Sequence, residues 1–135
     1  MRYPSVFVNH GGGPMPLLGK QPDIVRHFQD VQQKFLPKEP PQAIVVVSAH
    51  YESNPIRITS SAKPSMLYDY SGFPPQAYQV QYPAPGSPDL AKRIQSLLTN
   101  KGIASELDEK RGFDHGVFIP LKLMYPEVCC VVLSR

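Results

Sequence analysis

Apolar and polar positions along this chain fall into short blocks with two different periods. Val6 to Val8 is a brief apolar run closed by Gly11, Gly12 and Gly13, and it predicts a first strand. Over Asp23 to Phe35 the apolar residues Ile24, Phe28, Val31 and Phe35 recur at helical spacing, which predicts an amphipathic helix. Ala43 to Ser48 is continuous and rich in β-branched residues, as in a strand buried on both faces. Ile56 to Thr59 alternates and predicts a short strand. Ser87 to Asn100 predicts a second helix, with Ser87 as N-cap, an apolar stripe of Leu90, Ile94, Leu97 and Leu98, and Gly102 as its stop. "RGFDHGVFIPLKLMYP" reads as a loop running into a short helix, and Val128 to Leu133 as a last apolar strand.

Strands alternating with amphipathic helices predict an α/β fold with a mostly parallel central sheet and helices on both faces. Between the second strand and the second helix lies "KPSMLYDYSGFPPQAYQVQYPAPGSP", too long and too aromatic to be a plain connection. Loops of that length in compact domains are usually functional or disordered, and its aromatic residues favour order. The 16 prolines are spread between the periodic segments and stiffen the loops around a fixed core.

At 135 residues and 41% hydrophobic content, the chain is expected to be globular and one domain at most, with enough length to bury a core. A net charge of +3, with scattered cations and no basic stripe interleaved with aromatics, argues against nucleic acid as a partner. No stretch has the length to span a bilayer, and charges and prolines interrupt the N-terminal segment where a secretion signal would need a long apolar run. A cytoplasmic setting is expected. Cys129 and Cys130 are sequence neighbours that a strand points to opposite faces, so they are read as strand residues and not as a disulfide.

The candidate chemistry lies in the histidines. His27 falls beside the apolar stripe of the first helix and reads as structural or surface. His10 in "NHGGG" and His50 in "SAHYES" each follow an apolar strand, at the carboxyl end where open α/β sheets collect ligands. His115 in "FDHGVF" also sits at an element boundary. Imidazole is the commonest metal-binding side chain and the usual acid–base group. Two histidines do not close a metal site, because zinc takes three or four protein ligands and non-haem Fe(II) typically two histidines and a carboxylate. Glu52 is a carboxylate candidate near His50, and Asp114 is placed to orient His115.

"NHGGGP", "VVVSAHYES", "YDYSGFPPQAYQVQYPAPGSP" and "RGFDHGVFIPLKLMYP" occur in the order and rough spacing of the class III extradiol ring-cleaving dioxygenases. The chain resembles the 4,5-DOPA dioxygenase branch and, more distantly, the β-subunit of protocatechuate 4,5-dioxygenase. The resemblance implies a metal-dependent dioxygenase that opens a catechol ring beside its two hydroxyls, with O2 and a DOPA-like catechol as substrates. It implies an Fe(II) centre that Zn2+ can also occupy, held by His10 and His50, with His115 in the active site contacting substrate or oxygen. Tyr70 and Phe73 fall in a loop that the family places near the substrate. Asn9 and an extra glycine depart from the family's more usual "SHGSP".

Family chains run about twice this length. Residues 1–135 are therefore expected to be the N-terminal portion of a larger single-domain fold, with a further histidine and metal ligand in the other half. Alone, the segment is expected to lack turnover and to self-associate through an exposed sheet edge. Two other classes fit the same residues: a zinc-dependent hydrolase in which the histidine pair activates water, and a non-catalytic metal-binding or scaffold fragment.

Overall fold

The computed structural model describes residues 3–128 and the backbone of residues 131–134. Helix α1 (Pro22–Phe35) follows a short 3-10 turn (Met15–Leu18), and strand β1 (Ala43–Val46) comes next. Strand β2 (Ile56–Thr59), a second 3-10 turn (Pro75–Gln79), α2 (Pro88–Thr99), β3 (Ser105–Asp108), α3 (His115–Met124) and β4 (Val131–Ser134) complete the order.

The α/β class with parallel strands holds. The described strands form two parallel ladders, β1 with β4 (Ala43 opposite Val131) and β2 with β3 (Ile56 opposite Ser105). A parallel pair needs a long crossover. Between β2 and β3 that crossover contains α2, and the whole of residues 47–130 separates β1 from β4.

α1 buries Phe28 and Val31 against α3, which contributes Val117, Phe118, Leu121 and Met124 to the same core, together with Phe113 and Tyr82. Each large side chain buried in this way is worth roughly 1.5–3 kcal/mol. A smaller cluster joins Ile58 of β2 and Ala91 of α2, with Ile94, Leu98 and Leu107 packed around them. The Ser87 hydroxyl accepts the Leu90 N–H, as the N-cap reading requires, and Gly102 turns the chain at φ +72°. Leu97, assigned to the apolar stripe of α2, is 57% exposed.

Three expectations need correction. Val6 to Val8 lie in no ladder among the described residues, and Phe7 is fully exposed. An apolar run is a strand only when a neighbour takes its backbone hydrogen bonds, and none of the described strands does so. β1 ends at Val46, so Ser48 belongs to the turn that follows. β3 reads "SELD", which has too few apolar residues to announce itself, and it exists because β2 pairs with it. β4 starts at Val131, and Cys129 and Cys130 lie outside the described residues. His27 is exposed on α1.

Candidate metal and acid–base site

His10, His50 and His115 come from three separate segments and meet. Their ring centroids lie 4.9 Å (His10–His50), 4.7 Å (His10–His115) and 4.1 Å (His50–His115) apart. One nitrogen from each falls within 4.8 Å of the other two. His10 is half-buried, His50 exposed and His115 buried, so the cluster opens to one side.

Each ring is held by local chemistry. Behind His10 the chain turns at Gly11, whose φ of +76° suits glycine, and a Cβ there would stand 2.6 Å from Gln21 Oε1. The same oxygen accepts the Gly12 N–H at 2.9 Å, and Asn9 Oδ1 accepts that of Gly11 at 2.9 Å. The glycine run thus wraps the Gln21 side chain, and its last member, Gly13, meets the Phe73 ring. His50 lies four residues past β1, in a turn where Ser48 Oγ accepts its N–H at 3.2 Å. Its carbonyl accepts from Arg111 Nη2 at 3.0 Å.

Asp114 does not orient His115. Its carboxylate is 1% exposed and accepts from Ser48 Oγ (2.8 Å) and from Arg111 Nη2 (3.0 Å). Burying a carboxylate is costly unless it is paired, and Arg111 supplies the pair. The Arg111 guanidinium also lies over the Tyr51 ring, 4.1 Å from its centroid. Ser48, Asp114 and Arg111 therefore brace the backbone that carries His50.

The carboxylate that touches His115 is Asp69. His115 Nδ1 lies 2.7 Å from Asp69 Oδ1, and the His115 N–H donates to the same oxygen at 3.0 Å. Burial works to raise the Asp69 pKa, but the bonds from His115 outweigh it and hold the carboxyl below its ordinary value. The sequence signal for Asp69 was present but faint: a lone acid inside the aromatic run "LYDYSGF".

Glu52 is not among the converging side chains. It is exposed and lines a separate cleft of about 550 Å³ with Tyr51, Arg57 and Asp108. Tyr70 stands with its ring 5.8 Å from that of His115, and its hydroxyl donates to the Ala77 carbonyl at 2.6 Å. Burial, with neighbouring Tyr68, Tyr78 and Asp69, pushes its phenol up to about 12. Phe73 packs on Tyr70 at 5.4 Å.

The donor set suits a divalent transition metal. Burial, then the neighbouring His115 and His50, lowers the His10 pKa, which favours the neutral, lone-pair-bearing imidazole that a metal needs. The Nε2 atoms of His10 and His50 are 2.8 Å apart. Two imidazole nitrogens this close can both serve one ion, with further ligands needed to complete its shell. His10 turns its Nε2 to the cluster, leaving its Nδ1 buried on the side away from His50.

Residues 4–134 match the family described as the catalytic LigB subunit of aromatic ring-opening dioxygenase. The chain is 42% identical over 124 residues to a 4,5-DOPA dioxygenase extradiol of Beta vulgaris, covering 91% of this chain and 46% of that protein. It is 42% identical over 127 residues to the protein of that name in Escherichia coli K12, covering 93% and 44%. To the dioxygenase tasH of Hapsidospora irregularis it is 37% identical over 131 residues, covering 92% and 40%. A crystal structure of an uncharacterized protein from Escherichia coli K12 superposes with a TM-score of 0.60 at 38% identity, over 82% of this chain and 38% of that one. The chain thus spans less than half the length of the curated relatives it matches. With residues 4–134 matched, the chain belongs to the LigB family of aromatic ring-opening dioxygenases.

Proposed function

We propose that the protein containing this chain opens the ring of a DOPA-like catechol with O2 by extradiol cleavage, and that His10 and His50 hold its metal. The convergence of His10, His50 and His115 from three segments is the observation that carries this reading. Fe(II) is the expected ion for turnover, with Zn2+ able to take the same seat. Bound there, Fe(II) would supply redox coupling between catechol and O2 and a template that brings them together.

The chain's own residues do the rest. His10, kept neutral by burial, offers its lone pair to the centre. His50 is aimed by its turn and by the Ser48, Asp114 and Arg111 brace. His115 faces the same point and exchanges a proton with the catechol hydroxyl as general acid–base. Tyr70 and Phe73 form an aromatic wall next to His115 against which a flat ring can stack. Among the described residues no helix is long and apolar enough to cross a membrane, and a reducing cytoplasm, which preserves Fe(II), is the proposed setting.

The test is oxygen uptake with DOPA and with protocatechuate by the intact protein, loaded anaerobically with Fe(II) or with Zn2+. Uptake with Fe(II) alone supports the reading. Turnover of an ester or amide by the zinc form, without oxygen uptake, would replace it with a hydrolase.

A further inference from the structure

We infer that Asp69 is the positioning residue of His115, fixing the imidazole with its proton on Nδ1 and turning an unprotonated Nε2 toward His10 and His50. The inference rests on the functional reading above only for its purpose; its geometry stands independently.

An ionised carboxylate has acceptors and no donor. The 2.7 Å contact between Asp69 Oδ1 and His115 Nδ1 therefore requires the hydrogen on the imidazole side. In a neutral ring, Nε2 is then left as the lone-pair nitrogen. The same Asp69 oxygen takes the His115 backbone N–H at 3.0 Å, so ring and backbone are gripped from one point. That N–H belongs to the first turn of α3, where donors lack helical partners. Asp114, at the N-cap position, makes no side-chain cap bond there.

Asp69 is itself placed by backbone. Phe113 N–H donates to Ser65 O and Leu67 N–H to Phe113 O, both at 2.8 Å, tying the aromatic loop to the strand-like approach to α3. Gly112 permits the approach, since a Cβ there would stand 2.3 Å from Ser65 O. Side-chain exposure at the contact is 19% for Asp69 and 9% for His115, so water competes little for it.

A histidine that must accept a proton from substrate needs one defined nitrogen facing it. Asp69 would supply that definition by holding the Nδ1 side of the ring.

The test uses the chain labelled with 15N-histidine and free of metal and substrate, so it can fail without touching the functional reading. Long-range 1H–15N correlation spectra at neutral pH should show His115 as a single tautomer, protonated at Nδ1 and not at Nε2. Asp69→Ala should convert His115 to a mixture of tautomers while the amide spectrum of the core stays dispersed; Asp69→Glu should restore part of the fixed form. Should Asp69→Ala fail to fold, the wild-type spectrum still decides. A His115 ring protonated at Nε2 in the wild type, or an unchanged tautomer in folded Asp69→Ala, would overturn the inference.

Discussion

The Nε2 atoms of His10 and His50 face each other across 2.8 Å, though 39 residues separate the two histidines in the chain. On the proposed reading both serve one ion, so removing either leaves its coordination open. His10→Ala or His50→Ala should each abolish most metal retention in elemental analysis of the purified protein. Unchanged stoichiometry in both variants would show that the ion sits elsewhere.

His115→Ala separates a proton-transfer role from a ligand role. If His115 works as an acid–base group, the variant keeps its metal and loses about 10²- to 10⁴-fold in turnover. Metal loss as complete as that of His10→Ala would make His115 a third ligand.

Gly116 lets the first turn of α3 lie against His50. A Cβ there would stand 2.7 Å from Ser48 Oγ and 2.9 Å from His50 Cδ2. Alanine is the better helix former by about 1 kcal/mol, whereas overpacking a close contact costs typically about 1–3 kcal/mol. The clash should win, so Gly116→Ala should lower the melting temperature and weaken metal binding together. A stabilised variant with full metal content would contradict the close approach.

Asp69 and Asp108 make stability acid-sensitive. Burial acts to raise both carboxyls, but hydrogen bonds hold them below the ordinary range: His115 at Asp69, and the Tyr51 hydroxyl with the Arg111 and Lys110 N–H groups at Asp108. A depressed folded-state pKa contributes stability above the unfolded-state value of about 3.9, and that stability is lost as pH falls through the folded-state value. Melting temperature should therefore drop below pH 4, and Asp108→Asn should flatten the drop. A wild-type curve level down to pH 2.5 would refute the assignment.

Val45 in β1 and Val47 just past it are 52% and 67% exposed. Bare apolar positions along a strand invite association. Sedimentation should show self-association of this chain that Val47→Lys reduces without lowering the melting temperature. A monodisperse monomer at tens of micromolar would rule it out.

Both long helices and β2 were legible in the sequence because a single face of each is apolar, and Ser87 and Gly102 mark the two ends of α2 by local chemistry alone. The three histidines were legible because each follows or interrupts an apolar run at a boundary. What the sequence hid is tertiary. Val6 to Val8 has strand composition but no described partner, and β3 has a partner but little strand composition. Adjacency suggested Asp114 as the orienting acid for His115, yet the turn into α3 sends it to Ser48 and Arg111. Asp69, 46 residues away, takes the role because a backbone bridge brings its loop alongside. Glu52 follows a turn rather than a continuing strand, so the alternation that would have kept it beside His50 is lost.

The most direct measurement of the proposed chemistry is the fate of 18O2. The intact protein, loaded with Fe(II) without air, is given DOPA and 18O2, and the ring-opened product is analysed by mass spectrometry. Extradiol cleavage predicts a product labelled in its new carboxylate, with the aldehyde oxygen exchanging with water unless it is trapped by reduction, formed with Fe(II) and absent with Zn2+. A product without label, or equal turnover with Zn2+, would contradict it.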